Sequence, residues 1–244
     1  MAAQPRWFQA LTKALSLPEN KGKTIYQLAT VDSHNIPHVR SVGHRDFLIP
    51  KTYPAVPVLL ATTDVRAAKV TQSLSNSVAE LAWWLEGSQD QFRIAGKVTI
   101  IPAPSHPFHT MNAIPKGSAI HFLDEGGDKD HPGKYDWEKK RREVYDSMSP
   151  YLKASWTRPP PGSAINSYDD AKAWPQKLPK LGEAESEEDK RNAEIAFGNF
   201  ALVLIEPHEI DWIQLGIFPH QRTRFTRLTN EGNGDEWKEE IQVP

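Results

Sequence analysis

The chain has 244 residues, a net charge of −2 with both signs interspersed, and no cysteine. Disulfides, thiolate nucleophiles, cysteine-bound zinc and iron–sulfur clusters are therefore excluded, and without a global basic field any anion binding has to be local. A hydrophobic content of 39% suffices for a sizeable core, while no run reaches the roughly 18 apolar residues of a membrane span and residues 1–17 lack the apolar core of a signal peptide, so a soluble cytoplasmic protein is expected.

Trp7, Phe8, Leu11, Ala14 and Leu15 recur at helical spacing until Pro18, which predicts a short amphipathic helix. Residues 24–32 and 38–45, rich in β-formers and separated by Ser33-His34-Asn35, read as a β-hairpin. Residues 56–61 form a short apolar strand ending in Thr62-Thr63-Asp64, and Thr63 or Asp64 is placed to cap a helix over 65–76. Two further strands, 78–86 and 91–101, flank a Gly-Ser turn. Three strands, a helix and two strands suit a small barrel carrying a helix better than a doubly wound parallel sheet.

The middle of the chain changes character. Residues 102–133, rich in Pro, Gly, His and Asp, read as a long loop. Trp137, Val144, Tyr145, Met148 and Leu152 lie on one stripe and predict a single amphipathic helix over 136–153. After Arg158-Pro159-Pro160-Pro161-Gly162 comes a polar, acidic stretch to about residue 192, expected as a partly disordered surface excursion. Strands return at 200–205, 210–215 and 222–228, followed by a Gly-rich turn and Trp237. The expected organisation is one domain over 1–244, with an insertion at about 102–195.

The chain contains no GxGxxG, P-loop, GxSxG or HExxH motif, and its nine histidines show no clear metal-ligand spacing. His106 and His109 sit in a Pro-rich stretch that reads as solvated loop, so no metal is expected. What remains is cationic. Arg40 and Arg45 flank one strand, and Arg66 and Lys69 fall in the first turns of the helix after Thr62-Thr63-Asp64. Free N–H groups, hydroxyls and cations together make a candidate phosphate cradle, although such a cluster is also what a capped surface helix looks like. Gln91 opens one strand, and His220-Gln221-Arg222-Thr223-Arg224-Phe225 adds cations near the closing strand.

Taken in order, these pieces resemble the pyridoxamine 5′-phosphate oxidase family of FMN-binding split barrels, with the divergent Alr4036-type branch as the nearest pattern. The matching segments are Arg40-Ser41-Val42-Gly43-His44-Arg45, Thr62-Thr63-Asp64 with Lys69, and Gln91 with Arg93 and Gly96. Further along they are Ser149-Pro150, Arg158-Pro159-Pro160-Pro161-Gly162, then His220 with Arg222 and Phe225, and Trp237 with Pro244. The chain departs from the family in carrying Ala67-Ala68 before Lys69, in lacking a Gln-Ser pair over 162–174, and in placing Pro219 before His220.

The resemblance implies an antiparallel Greek-key split β-barrel of the mainly β, α+β class with peripheral helices. It further implies a homodimer with FMN in the groove between subunits. Arg40, Arg66 and Lys69 would hold the phosphate beside Thr63. Ser41, Val42, Gly43 and Thr62 would face the ribityl chain and ring, Gln91 the ring edge, and Arg222 would bring positive charge from the far end of the chain. Arg45, Arg158 and His220 would bind a small phosphorylated amine or alcohol that is oxidised with oxygen as acceptor, and no catalytic base is assigned. Two other readings stay open at this point: an FMN carrier or sensor without turnover, and a flavin-less dimeric interaction module.

Overall fold

The computed structural model describes residues 4–51, 53–111, 114–123, 135–230 and 234–244. Its strands are β1 (Ile25–Val31), β2 (Pro37–Leu48), β3 (Val58–Asp64), β4 (Val78–Leu85), β5 (Asp90–Ile101), β6 (Phe200–Gln214), β7 (Gln221–Asn230) and β8 (Gly234–Gln242). Neighbouring strands run antiparallel in the order β3-β2-β1-β4-β5-β6-β7-β8. A further pairing of β3 with β6 closes the first six into a barrel. β6 makes this closure possible by its length. Its first part, Phe200 to Ile205, pairs with β3, and its second part, Glu209 to Gln214, pairs with β7. The sheet therefore splits at the middle of one strand, and β7 and β8 leave the barrel wall.

Two cores follow from this layout. Inside the barrel, Tyr26, Leu28, Val42, Trp83, Phe92 and Ile94 pack together, and α1 (Arg6–Ser16) contributes Trp7, Phe8, Leu11 and Ala14. Outside, Leu60, Leu202 and Leu204 bury the other face of β3 and β6 under the helical segments between β5 and β6. Both strands are thus buried on both sides, which is why they read as unbroken apolar runs.

Several expectations are corrected. The helix after β3 is α2 (Ala68–Ser75), three residues later than expected, and neither Thr63 nor Asp64 caps it. The Asp64 carboxylate instead accepts the Arg66 N–H at 2.8 Å, and the Val65 N–H is taken by the Asn199 carbonyl at 2.8 Å. Residues 102–123 include a helical turn, α3 (Phe108–Met111), and a 3-10 turn at Ala119–Phe122; the rest of the expected loop, residues 112–113 and 124–133, lies outside the described residues. The single helix over 136–153 is two, α4 (Trp137–Asp146) and α5 (Pro150–Ser155). Pro150 forces Ser149 into extended backbone (φ −62°, ψ 147°), from which its hydroxyl caps the new helix.

The acidic stretch is ordered in part: a 3-10 turn at Tyr168–Ala173 leads to α6 (Glu187–Asn199), capped by Ser186 and carrying Glu187, Glu188 and Asp189 in its first turn. The strands expected at 200–205 and 210–215 are one, because a bulge lets Gly96 face Pro207 and keeps the ladder going through the proline. β8 was not expected from the sequence pattern; the Gly-rich turn before it, 231–233, lies outside the described residues. Among the described residues no helix is long and apolar enough to cross a membrane.

Candidate functional site: a cationic cleft beside the barrel

A cleft of about 490 Å³ opens between the outer face of β2 and β3, the start of α2, and the proline-rich segment after α5. Its size falls within the range of about 300–1,000 Å³ usual for small-molecule sites. β2 delivers Ser41, Gly43 and Arg45 to it. Along β2, Val42 and His44 turn inward, and His44 packs on Phe47 and Trp83. Burial lowers the His44 pKa to about 4, so the ring is neutral and belongs to the core. Between His44 and Asp46 the pairing with β3 slips by one residue. Arg45 is that extra residue, and the bulge turns its side chain into the cleft, where Nε donates to Thr62 Oγ1 at 3.3 Å.

β3 ends in Thr62-Thr63-Asp64 on the floor of the cleft. The Asp64 carboxylate does not neutralise the cleft, because Arg66 holds it with both arms, Nε to Oδ1 at 2.9 Å and Nη2 to Oδ2 at 2.6 Å. The same Nη2 also donates to the carbonyls of Trp156 at 3.3 Å and Arg158 at 3.0 Å, and Asn199 Nδ2 donates to Trp156 O at 2.8 Å. Arg66 is thus a clasp that pins the start of the segment 158–163, which forms the far wall of the cleft.

Lys69, in the first turn of α2, lines the cleft and has no hydrogen-bond or ion-pair partner among the described residues. Its pKa is lowered, chiefly by burial and then by the Arg40 guanidinium, against the opposing pull of Asp64. Arg40 itself stands one layer back. It donates to Leu28 O at 3.2 Å, Thr30 Oγ1 at 2.6 Å and Gln72 Oε1 at 2.9 Å, and it has no carboxylate partner. On the far wall, the Arg158 guanidinium lies 5.9 Å from the Trp174 ring, and its Nε is buried without a partner.

Eight of the thirteen expected site residues therefore line one cleft: Ser41, Val42, Gly43, Arg45, Thr62, Thr63, Lys69 and Arg158. Arg40 and Arg66 border it without lining it. Gln91, Arg222 and His220 lie elsewhere. Gln91 and Arg222 both sit opposite Ile213, on the part of β6 that has left β3. Arg222 grips Asp211 with Nε at 2.9 Å and Nη2 at 2.7 Å, and Arg93 binds the same carboxylate. The exposed His220 ring bonds Ile217 O at 2.9 Å. Trp156, Trp174, Ser155 and Ile165 line the cleft but were not expected to. Ser155 and Trp156 end α5, just beyond the helix expected over 136–153, and Ile165 and Trp174 belong to a stretch with no strand or helix periodicity, so only nearness to Arg158-Pro159 marked them.

A closed six-stranded antiparallel barrel with helices, split along β6, is the FMN-binding split-barrel fold. Residues 4–102, under half of the chain, match the family model described as the pyridoxamine 5′-phosphate oxidase FMN-binding domain. The matched stretch runs from α1 to the end of β5 and so includes every cleft residue of β2, β3 and α2. The fold is similar to that of a pyridoxamine 5′-phosphate oxidase-related, FMN-binding protein from Nostoc punctiforme, with a TM-score of 0.69 and 23% identity over 100% of both chains. It is also similar to PhzG from Burkholderia lata, solved with tetrahydrophenazine-1-carboxylic acid, with a TM-score of 0.60 and 13% identity over 100% of this chain and 94% of that one. At these identities the likeness speaks for the fold alone. No curated protein matched the chain.

Proposed function

We propose that the whole chain acts as one FMN-binding unit and oxidises a small phosphorylated amine or alcohol, with oxygen as acceptor. The observation that carries this reading is the charge balance of the cleft. Arg45, Lys69 and Arg158 face it without a carboxylate partner among the described residues, and the one lining carboxylate, Asp64, is held by Arg66. Unpaired cations in a half-buried site are costly unless an anion completes them. The residues present fit FMN. Lys69, backed by Arg40, suits its phosphate, and Ser41, Thr62 and Thr63 offer hydroxyls to a ribityl chain. Gly43 leaves open space for a planar ring, since a Cβ there would meet only the Arg45 guanidinium, at 3.6 Å.

With Lys69 assigned to the cofactor, Arg45 and Arg158 remain as a second cationic pair. That pair favours a substrate with its own anionic group over a neutral one. A flavin bound there would supply the two-electron redox chemistry, with oxygen as the final acceptor. The chain's part is to hold both anions, to screen them from water under the segment 158–163, and to aim the substrate at the ring.

Gln91, Arg222 and His220 enter the same reading through a second copy of the chain. Cross-strand partners run over the outer face, Gly43 with Ile25 on β2 and β1, and Trp84, Gln91, Ile213 and Arg222 on β4 to β7; the β1–β4 register, with Gln27 opposite Ala82, sets Ile25 and Trp84 in line two residues beyond that pair. From β2 to β7 this is five strand spacings, ~24 Å along the sheet at about 4.8 Å each. Counted this way round, Arg222 stands far from the cleft of its own chain, and a two-fold axis through the middle of this face would bring it to the cleft of a second chain. Ile25, Val39, Val78 and Trp84 leave the face apolar and exposed.

The test is a visible spectrum of purified protein with and without added FMN, followed by turnover of pyridoxine 5′-phosphate. A colourless protein that takes up no FMN overturns the reading. A yellow protein that forms no pyridoxal phosphate restricts it to flavin binding.

A further inference from the structure

Beneath Lys69 lies a polar cluster to which the chemistry above gives no role. Thr30 (1% exposed) and Gln72 (8% exposed) are buried side chains on β1 and α2. The Thr30 hydroxyl donates to Gln72 Oε1 at 2.7 Å and accepts from Arg40 Nη1 at 2.6 Å. Gln72 Oε1 accepts a second bond, from Arg40 Nη2 at 2.9 Å. Two donors converge on one oxygen, so the amide cannot flip without turning its NH₂ group toward the guanidinium. Gln72 follows Lys69 by three residues, so α2 presents both to the same side.

Every acceptor around Arg40 is neutral. Arg40 is half-buried, and an arginine withdrawn from water is ordinarily met by a carboxylate, which would cancel its field. Here the geometry is fixed by an amide, a hydroxyl and a carbonyl, and the charge is left intact next to Lys69. We infer that Gln72 and Thr30 are positioning residues that hold Arg40 as an uncancelled second-layer cation beneath Lys69, so that the cleft is tuned for a phosphate dianion at that point. The inference rests on the flavin reading and deepens it, by naming the side chains that keep the second cation at the phosphate end uncancelled.

Gln72→Glu is the decisive variant. It keeps the side-chain shape and both acceptor bonds but pairs Arg40 with a carboxylate. Affinities for FMN and for riboflavin, which lacks the phosphate, are measured by flavin fluorescence quenching. Gln72→Glu should weaken FMN by about tenfold or more and riboflavin less than about twofold. The slope of FMN affinity against salt concentration should become shallower at the same time. Gln72→Met, which removes the acceptor without adding charge, guards against a variant that does not fold. It should weaken FMN less than Gln72→Glu, with riboflavin again unmoved. Equal losses for FMN and riboflavin, or no loss for either, overturn the inference. Failure of the flavin reading itself looks different: the unaltered protein then binds neither ligand.

Discussion

Lys69 and Arg66 are three residues apart, both basic and both at the mouth of α2, yet the structure gives them opposite employment. Arg66 is held by Asp64 and two distant carbonyls, while Lys69 faces the cleft alone. Its lowered pKa yields a prediction with a definite sign. A bound phosphate favours the ammonium form, so binding above the free-state pKa must take up a proton. FMN affinity is therefore level while Lys69 is charged and falls as the pH rises through its lowered pKa, earlier than an ordinary lysine would require. Titrating FMN binding between about pH 7 and 10, with riboflavin in parallel to subtract the ring's own ionisation, checks this. Lys69→Arg stays charged over the whole range and should flatten the profile; an unchanged slope in that variant removes Lys69 from the phosphate site. The sequence shows all of these cations but not which are engaged, because beyond Asp64 the partners that occupy Arg66 are carbonyls at residues 156 and 158.

At the scale of elements, the Arg66 clasp joins the end of β3 to the segment after α5. Arg66→Ala leaves the Asp64 carboxylate, whose side chain is 9% exposed, without its cation. A loss of about 3 kcal/mol in unfolding free energy is expected, with faster amide exchange over 156–163. A change below about 0.5 kcal/mol in urea unfolding would mean that the clasp does not hold this wall. Gly96 is a second such point. A Cβ there would lie 2.6 Å from the Glu206 carbonyl oxygen, so Gly96→Ala must push β5 from β6 at the bulge and should cost about 1–3 kcal/mol, read from the same denaturation curves.

That close approach also explains what the sequence concealed. Pro207-His208-Glu209 reads as a break between two strands, and only the bulge opposite Gly96 lets one strand run through. The barrel strands β1, β2, β4 and β5 were legible because their alternation is set locally by burial on one face, and β3 because it is a short unbroken apolar run. The division of the 136–153 helix could have been read from Ser149-Pro150, a cap followed by proline. α6 could not, since its buried side is little more than Ala193 and Ala196.

At the scale of the whole molecule, the two cationic clusters that the sequence displays, residues 40–69 and 220–224, lie at opposite ends of one sheet face. Sequence order alone pairs them with a ligand but is silent on whether one chain or two supplies them. The row from Gly43 to Arg222 favours two, and two measurements follow. Trp84 is 44% exposed at the middle of that face and touches nothing in the cleft, so Trp84→Glu should leave the fold intact, shift the mass in solution from two chains of 27.5 kDa to one, and weaken FMN binding. The sharper measurement mixes two damaged chains. Lys69→Ala spoils the cleft end and Arg222→Ala the opposite end, so homodimers of either carry a defect in both sites. In a mixed dimer, one cleft combines the intact Lys69 of one chain with the intact Arg222 of the other. Co-refolding the two variants should therefore restore tight FMN binding to one site in about half of the dimers, as random assortment of two chains requires. If the mixture binds FMN no better than the separate variants, each cleft is built by a single chain, and the exposed face of β1 and β4 has to be explained by some other partner.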